Sequence, residues 1–204
     1  TNLSPWGIII GGEELHNNHH TYPTSAKLSV KPWEFDMGWA WIQLFSFFGL
    51  AKVQRVAPIA HRVAGKGNLD MDTAMAILNN RFQIMAQYRK LVIAPLVKQE
   101  LGKADASVRH HFRRAKALLS RETSLLDESH QARIQRLLEE SQALKVIYEK
   151  RIALQQIWVK TSSNGHEMLD AIKQWVSDAE ASGIQSLREF AEQLKTYSLR
   201  PANA

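Results

Sequence analysis

Within residues 130–160 the apolar side chains Ile134, Leu137, Leu138, Leu144, Ile147, Tyr148, Ile152, Leu154 and Trp158 recur at roughly helical spacing. A stripe with that period packs as a helix, whereas a half-buried strand needs strict alternation. The flanking segments agree with it. Ala, Leu, Gln, Arg and Glu, all strong helix formers, dominate from about residue 60 onward. Asp70 or Asp72 is placed to cap a helix running towards residue 100. Pro95 lacks an N–H and clashes with the preceding turn, so it should kink or split that helix. Gly102 is a plausible stop. Residues 107–119 form a short basic helix. Asn164 with Glu167, and Ser186 with Glu189, have capping-box spacing and begin two further helices separated by Gly183. Nothing in this tail alternates like a strand.

The front of the chain is different. Residues 1–60 are rich in Trp, Phe and Ile, and "APIAHRVAGKGNLD", with Pro58, Gly65 and Gly67, reads as a linker. The expected organisation is a first segment at 1–56, a linker at 57–68 and a helical tail at 69–204, in an all-α chain. The chain starts at Thr1, its first methionine is Met37, and "TNLSPWG" has neither the basic nor the apolar region of a signal peptide. The expectation is a C-terminal portion of something longer. Residues 35–51 are apolar almost all round but span only about four turns, short of the ~20 residues a membrane crossing needs. Met37, Trp41, Leu44, Phe45 and Phe48 fall on one side, Gln43 and Ser46 towards the other. That pattern suits a helix lying at a membrane interface, or a core helix against the tail.

There is no cysteine, which excludes disulfides, thiolate metal sites and a cysteine nucleophile. The net charge is +6 over 204 residues. Residues 1–60 hold four basic and four acidic side chains, so the whole surplus lies in the remainder, with 22 basic and 16 acidic. Most of such a surface is solvated; it also favours an anionic membrane or an acidic partner.

Three of eight histidines fall in "GGEELHNNHH", residues 11–20. On a helix His16 lies one turn from His20 and shares a face with His19, while His19 and His20 diverge by ~100°. Neutral imidazoles at this spacing suit iron, zinc, copper or nickel, with Glu13 and Glu14 as acceptors that would orient a ring. Three ligands on one short helix leave a site incomplete. The pair His110–His111 reads as a solvated pair on a basic helix, and His61, His130 and His166 stand singly.

"GGEELHNNHHTYPTSAKLSVKPWEFDMGWAWIQLFSFFGLAKVQRVAP" resembles the end of the membrane fatty acid desaturases of the delta-9 acyl-CoA or acyl-lipid type. Gly12, Glu13, His16, Asn17, His19, His20, Tyr22 and Pro23 match the third histidine box and its flanks, and Trp33, Glu34, Phe35 and Asp36 match downstream. The tail from about residue 69 resembles the helical extension of bacterial members. The resemblance implies a short metal-binding helix, an interfacial aromatic helix and a helical tail bundle. It implies His16, His19 and His20 as ligands of a di-iron centre completed by upstream residues. The activity implied is O₂-dependent introduction of a cis double bond at the 9,10 position of a fatty acyl chain. The implied partners are an acyl-CoA or acyl-lipid substrate and an electron donor of ferredoxin, rubredoxin or cytochrome b5 type with its reductase. The implied location is the bacterial inner membrane, this portion on the cytoplasmic face, with no nucleic acid expected. The family's other two histidine boxes are absent from this sequence, so the chain alone is expected to be inactive.

Two other readings compete. One is a lipid or alkane hydroxylase of the same histidine-box type. The other is a helical nucleic-acid-binding module: "QWVSDAEASGIQSLREFAEQLKTY", residues 174–197, loosely resembles a helical piece of some transposases, and Arg109, Arg113, Arg114 and Lys116 cluster nearby in sequence. No groove-reading motif and no assembled acidic triad accompany it.

Overall fold

In the computed structural model, the described residues are 6–8, 13–21, 24–30, 33–57, 59–105, 109–112, 114–121, 126–160 and 165–200. They are mostly helical, with short strands, and fall into two compact units. The first holds Thr1–His61 and Leu199–Ala204; the second is Arg62–Ser198.

In the first unit, β1 (Trp6–Gly7) pairs in parallel with β2 (Phe35–Asp36), Trp6 opposite Phe35. A 3-10 turn at Glu13–Leu15 leads into α1 (His16–Thr21). Two buried carboxylates brace the intervening chain. Asp36 accepts from the Leu28, Ser29 and Trp39 N–H groups at 2.6, 3.1 and 2.9 Å, so it is also the N-cap of α2 (Met37–Phe47). Glu34 accepts from Asn18 Nδ2 and from the Val30 N–H, both at 2.8 Å. Helix α2 buries none of its residues, and Trp41, Leu44, Phe45 and Phe47 are exposed, so it is not a core helix. Its 11 residues fall short of a membrane crossing, and among the described residues no helix is long and apolar enough to make one.

The second unit begins at Arg62, the last residue of the strand β3 (Ile59–Arg62), and leads into α3 (Met71–Asn79), capped by Asp70 through the Thr73 N–H at 2.7 Å. Next come α4 (Arg81–Tyr88), a π turn (Arg89–Ile93) and α5 (Ala94–Lys103). At Pro95 the run does not end: α4 passes through the π turn directly into α5, with Pro95 in the first turn of α5, so the interruption takes the form of a change of helix type. The basic segment is two short helices, α6 (Arg109–Phe112) and α7 (Ala115–Ser120).

The long helix expected over 130–160 is two, α8 (Glu128–Glu140) and α9 (Gln142–Lys160), parted at Ser141. Ser141 is extended and buried. Its hydroxyl accepts from the Leu144 N–H at 3.2 Å and donates to Glu100 at 2.7 Å, which makes it the cap of a new helix. The unit ends with α10 (Gly165–Ala181), α11 (Gln185–Lys195) and the first two residues of β4 (Tyr197–Arg200), a strand where none was expected. Asn164 lies outside the described residues. The N-cap of α11 is Ile184 rather than Ser186, so the Ser186–Glu189 capping box does not form as read.

The core centres on three rings packed edge to face. Tyr88 lies 5.0 Å from Phe190 and 6.4 Å from Trp175, and Trp175 lies 6.1 Å from Phe190. Such pairs add about 0.5–1.5 kcal/mol each beyond their burial. Both polar tips are satisfied: Tyr88 Oη donates to the Ile147 carbonyl at 2.6 Å, and Trp175 Nε1 to that of Lys150 at 2.8 Å. Burial pushes the Tyr88 phenol far above its usual range, so it stays a donor. Lys150 pairs with Asp178 at 2.7 Å, and Lys195 pairs with Glu180, which ties α9 to α10 and α10 to α11.

Candidate nucleic-acid interface

The surplus positive charge is concentrated. Residues 109–136 hold seven basic and three acidic side chains, while the rest of the second unit holds 14 and 13. These 28 residues make up α6, α7 and most of α8, three elements in mutual contact. Phe112, Ala115, Leu118, Leu119 and Ile134 bury their side chains here. The buried positions are apolar, so the cations between them face outward: Arg109, Arg114, Lys116, Arg121, Arg133 and Arg136 are all exposed. Arg113, Glu122 and the side chains of His110 and His111 lie outside the described residues.

Helix α8 starts on Asp127, whose carboxylate accepts from the His130 N–H at 2.8 Å and from Ser129 Oγ at 2.9 Å. These bonds, the His130 N–H first, hold Asp127 at a pKa of about 2. The same carboxylate meets His130 Nδ1 at 2.7 Å, and Arg121 Nη1 meets His130 Nε2 at 2.8 Å. Arginine can only donate, so Nε2 accepts and Nδ1 carries the proton that goes to Asp127. At the end of α7, the buried guanidinium of Arg151 donates to the carbonyls of Ser120 and Arg121 at 3.2 and 2.9 Å. It closes the helix C-terminus where cations are favoured.

Sequence reasoning singled out Arg109, Arg114 and Lys116 and missed Arg121, His130, Arg133, Arg136 and Arg151. The charge density of 109–136 was a usable signal, as was the Asp-x-x-His spacing at 127–130. The inward turn of Arg151 has no local signal.

The histidine cluster is placed only in part. His16 and His19 stack with ring centroids 6.4 Å apart, His16 exposed and His19 half-buried, and the side chain of His20 lies outside the described ones. Glu34 and Asp36, the buried carboxylates downstream, already brace backbone amides and Asn18. Among the described residues no group of three His, Cys, Asp or Glu side chains is arranged to hold a metal ion. That also covers a catalytic acidic triad. Several carboxylates of the second unit serve in caps and ion pairs, Asp70 and Asp72 on Lys66, Asp127 on His130, Asp178 on Lys150.

A transposase family model (DDE_Tnp_ISL3) matches residues 71–203. Among curated proteins, the chain is 28% identical over 123 residues to the transposase for insertion sequence element IS1001 of Bordetella parapertussis, covering 59% of this chain and 30% of that protein. It is 53% identical over 45 residues to an sn-2 palmitoyl-lipid 9-desaturase of Nostoc sp. (strain 36), covering 22% of this chain and 16% of that one. An sn-1 stearoyl-lipid 9-desaturase of Synechocystis sp. is 45% identical over 51 residues, again 16% of its length. The chain thus spans well under half the length of each of these relatives. No solved structure matches.

These findings overturn the desaturase reading. The similarity to desaturases is confined to about a quarter of the chain or less in these two relatives, while the transposase match takes in most of it. The described residues provide no metal-binding helix around His16 and His19 and no site for a di-iron centre, so the all-α fold with such a helix and the iron cofactor both fall. The oxidoreductase activity falls with them, as do the acyl-CoA or acyl-lipid substrate and the ferredoxin, rubredoxin or cytochrome b5 donor. No described helix can span a bilayer, which removes the support for an inner-membrane location. The family match removes the ground for expecting no nucleic acid. From residue 71 to residue 203 this is transposase sequence, and the chain belongs to that family.

Proposed function

We propose that the second unit is a DNA-holding helical module of a transposase, gripping the phosphodiester backbone through the 109–136 surface. The observation that carries this is the concentration of charge. Six exposed cations stand on or at the ends of three packed elements, and among the described residues none of the six pairs directly with a carboxylate. Arginine dominates the set, and its planar fork matches phosphate oxygens in pairs. Without a groove-reading motif, the grip is on the backbone and not on base edges. The described residues supply this grip and no metal-holding carboxylate group.

The test is retention of a fluorescent duplex by the full chain as salt is raised from 50 to 300 mM. Each neutralised phosphate contributes about −0.9 to the slope of log K against log salt, so about six contacts give a slope near −5. No retention at 50 mM salt overturns the proposal. Tighter binding to duplex RNA reassigns the surface.

A further inference from the structure

Arg114, Lys116, Arg133 and Arg136 hang from helix surfaces or a helix start, and Arg109 donates once, to the Ala104 carbonyl at 3.3 Å. Arg121 is built in differently. Its backbone carbonyl is fixed from inside by Arg151, and its guanidinium is fixed from outside by His130 at 2.8 Å. His130 is fixed in turn by Asp127, twice, through backbone N–H and ring Nδ1. The side chain therefore bridges the end of α7 and the first turn of α8.

The identity of the partner matters. A carboxylate would hold the guanidinium but cancel its charge. Neutral imidazole holds it and leaves the charge intact. The carboxylate of this relay stands on the far side of the ring, engaged by the α8 N-terminus. A guanidinium has five N–H donors; with one on His130, an outward fork remains for a pair of phosphate oxygens. Holding it in place beforehand removes part of the side-chain ordering cost that a free arginine meets on binding.

We propose that Arg121 is a pre-set clamp for one phosphate of duplex DNA, with His130, Asp127 and Arg151 as its positioning residues. The clamp rests on the DNA-holding role of the 109–136 surface.

The test compares duplex affinity and salt slope for the full chain and four variants, with thermal midpoints measured in parallel. Losing one charged bidentate contact in Arg121→Gln should weaken binding about tenfold and flatten the slope by about 0.9. Arg121→Lys should restore the slope but only part of the affinity. His130→Ala keeps every cation but releases the guanidinium, so the slope should hold while affinity falls about threefold. Lys98→Gln, on α5 outside the surface, should leave affinity within about twofold of the unaltered chain.

Arg121→Gln binding as tightly as Lys98→Gln overturns the clamp, and so does His130→Ala matching the unaltered chain. An unaltered chain that fails to bind DNA at 50 mM salt removes the DNA-holding role itself. Normal binding that ignores Arg121 removes only the clamp.

Discussion

Asp36, Asp70 and Asp127 do the same job at three places: each ends an extended stretch and offers its carboxylate to the first turn of a helix. For Asp70 and Asp127 the acid is held at a pKa of about 2, chiefly by the backbone N–H groups of Thr73 and His130 respectively. A folded-state pKa below the unfolded value means the charged form belongs to the native state. The stabilisation is complete above the unfolded carboxylate pKa of about 3.9 and is lost as pH falls through about 2. Helical circular dichroism followed from pH 5 to pH 1.5 should therefore show stability draining away between about pH 4 and pH 2. Asn caps nearly as well as Asp but does not titrate. The double variant Asp70→Asn, Asp127→Asn should keep its fold at pH 7 and lose less stability across that window. A decline as steep as that of the unaltered chain would show that other groups govern the acid transition.

Among the elements, what the sequence made legible was whatever is local. Helix identity in the tail, a cap at Asp70 or Asp72 and the break at Gly183 all follow from residues within a few positions of one another. The division at Ser141 was missed because the apolar stripe runs through it in near-register. The deciding partner of Ser141 is Glu100, 41 positions away. Pro95 marks where the run changes, but the form of the change, a π turn just upstream, has no sequence signature. The basic surface was half legible, since Arg109, Arg114 and Lys116 are close in sequence while Arg121 gains its meaning from His130 and Arg151. The resemblance around the histidine cluster was extended too far along the chain, because a short motif with strong local character outweighed the longer, weaker pattern beside it. Two glycines test the local logic. Gly183 sits at φ +74, and a Cβ there meets nothing within 4 Å, so Gly183→Ala should cost about 1 kcal/mol from backbone strain alone. Gly102 is inside α5, has no positive φ and is equally open, so Gly102→Ala should gain about 0.5–1 kcal/mol. Chemical denaturation reads both, and equal signs for the two would contradict the assignment of their conformations.

For the molecule as a whole, the second unit is closed by contacts between the two ends of its own chain. Val63 donates its N–H to the Thr196 carbonyl at 2.8 Å. Lys66 Nζ reaches Asp70, Asp72 and the Tyr197 carbonyl at 3.1, 3.2 and 3.2 Å, and Ser198 donates to Asp72. Tyr197 is the hub: its ring is buried under the Arg62 guanidinium, 5.4 Å from the centroid, and its hydroxyl donates to Gln87 at 3.0 Å. Apart from the Lys66 pairs with Asp70 and Asp72, these contacts join residues more than a hundred positions apart, so their loop-closure cost favours forming them late, after the helices between them have packed. They stabilise the closed unit without being needed to start it. Tyr197→Ala should then cost about 3 kcal/mol by analogy with other large aromatic truncations. The loss should appear mostly as faster unfolding, with the folding rate little changed. Stopped-flow folding and unfolding of the variant separates the two limbs. Folding slowed in proportion to the lost stability would place the clasp in the nucleus and not at the close, and the unit would then assemble from its ends inward.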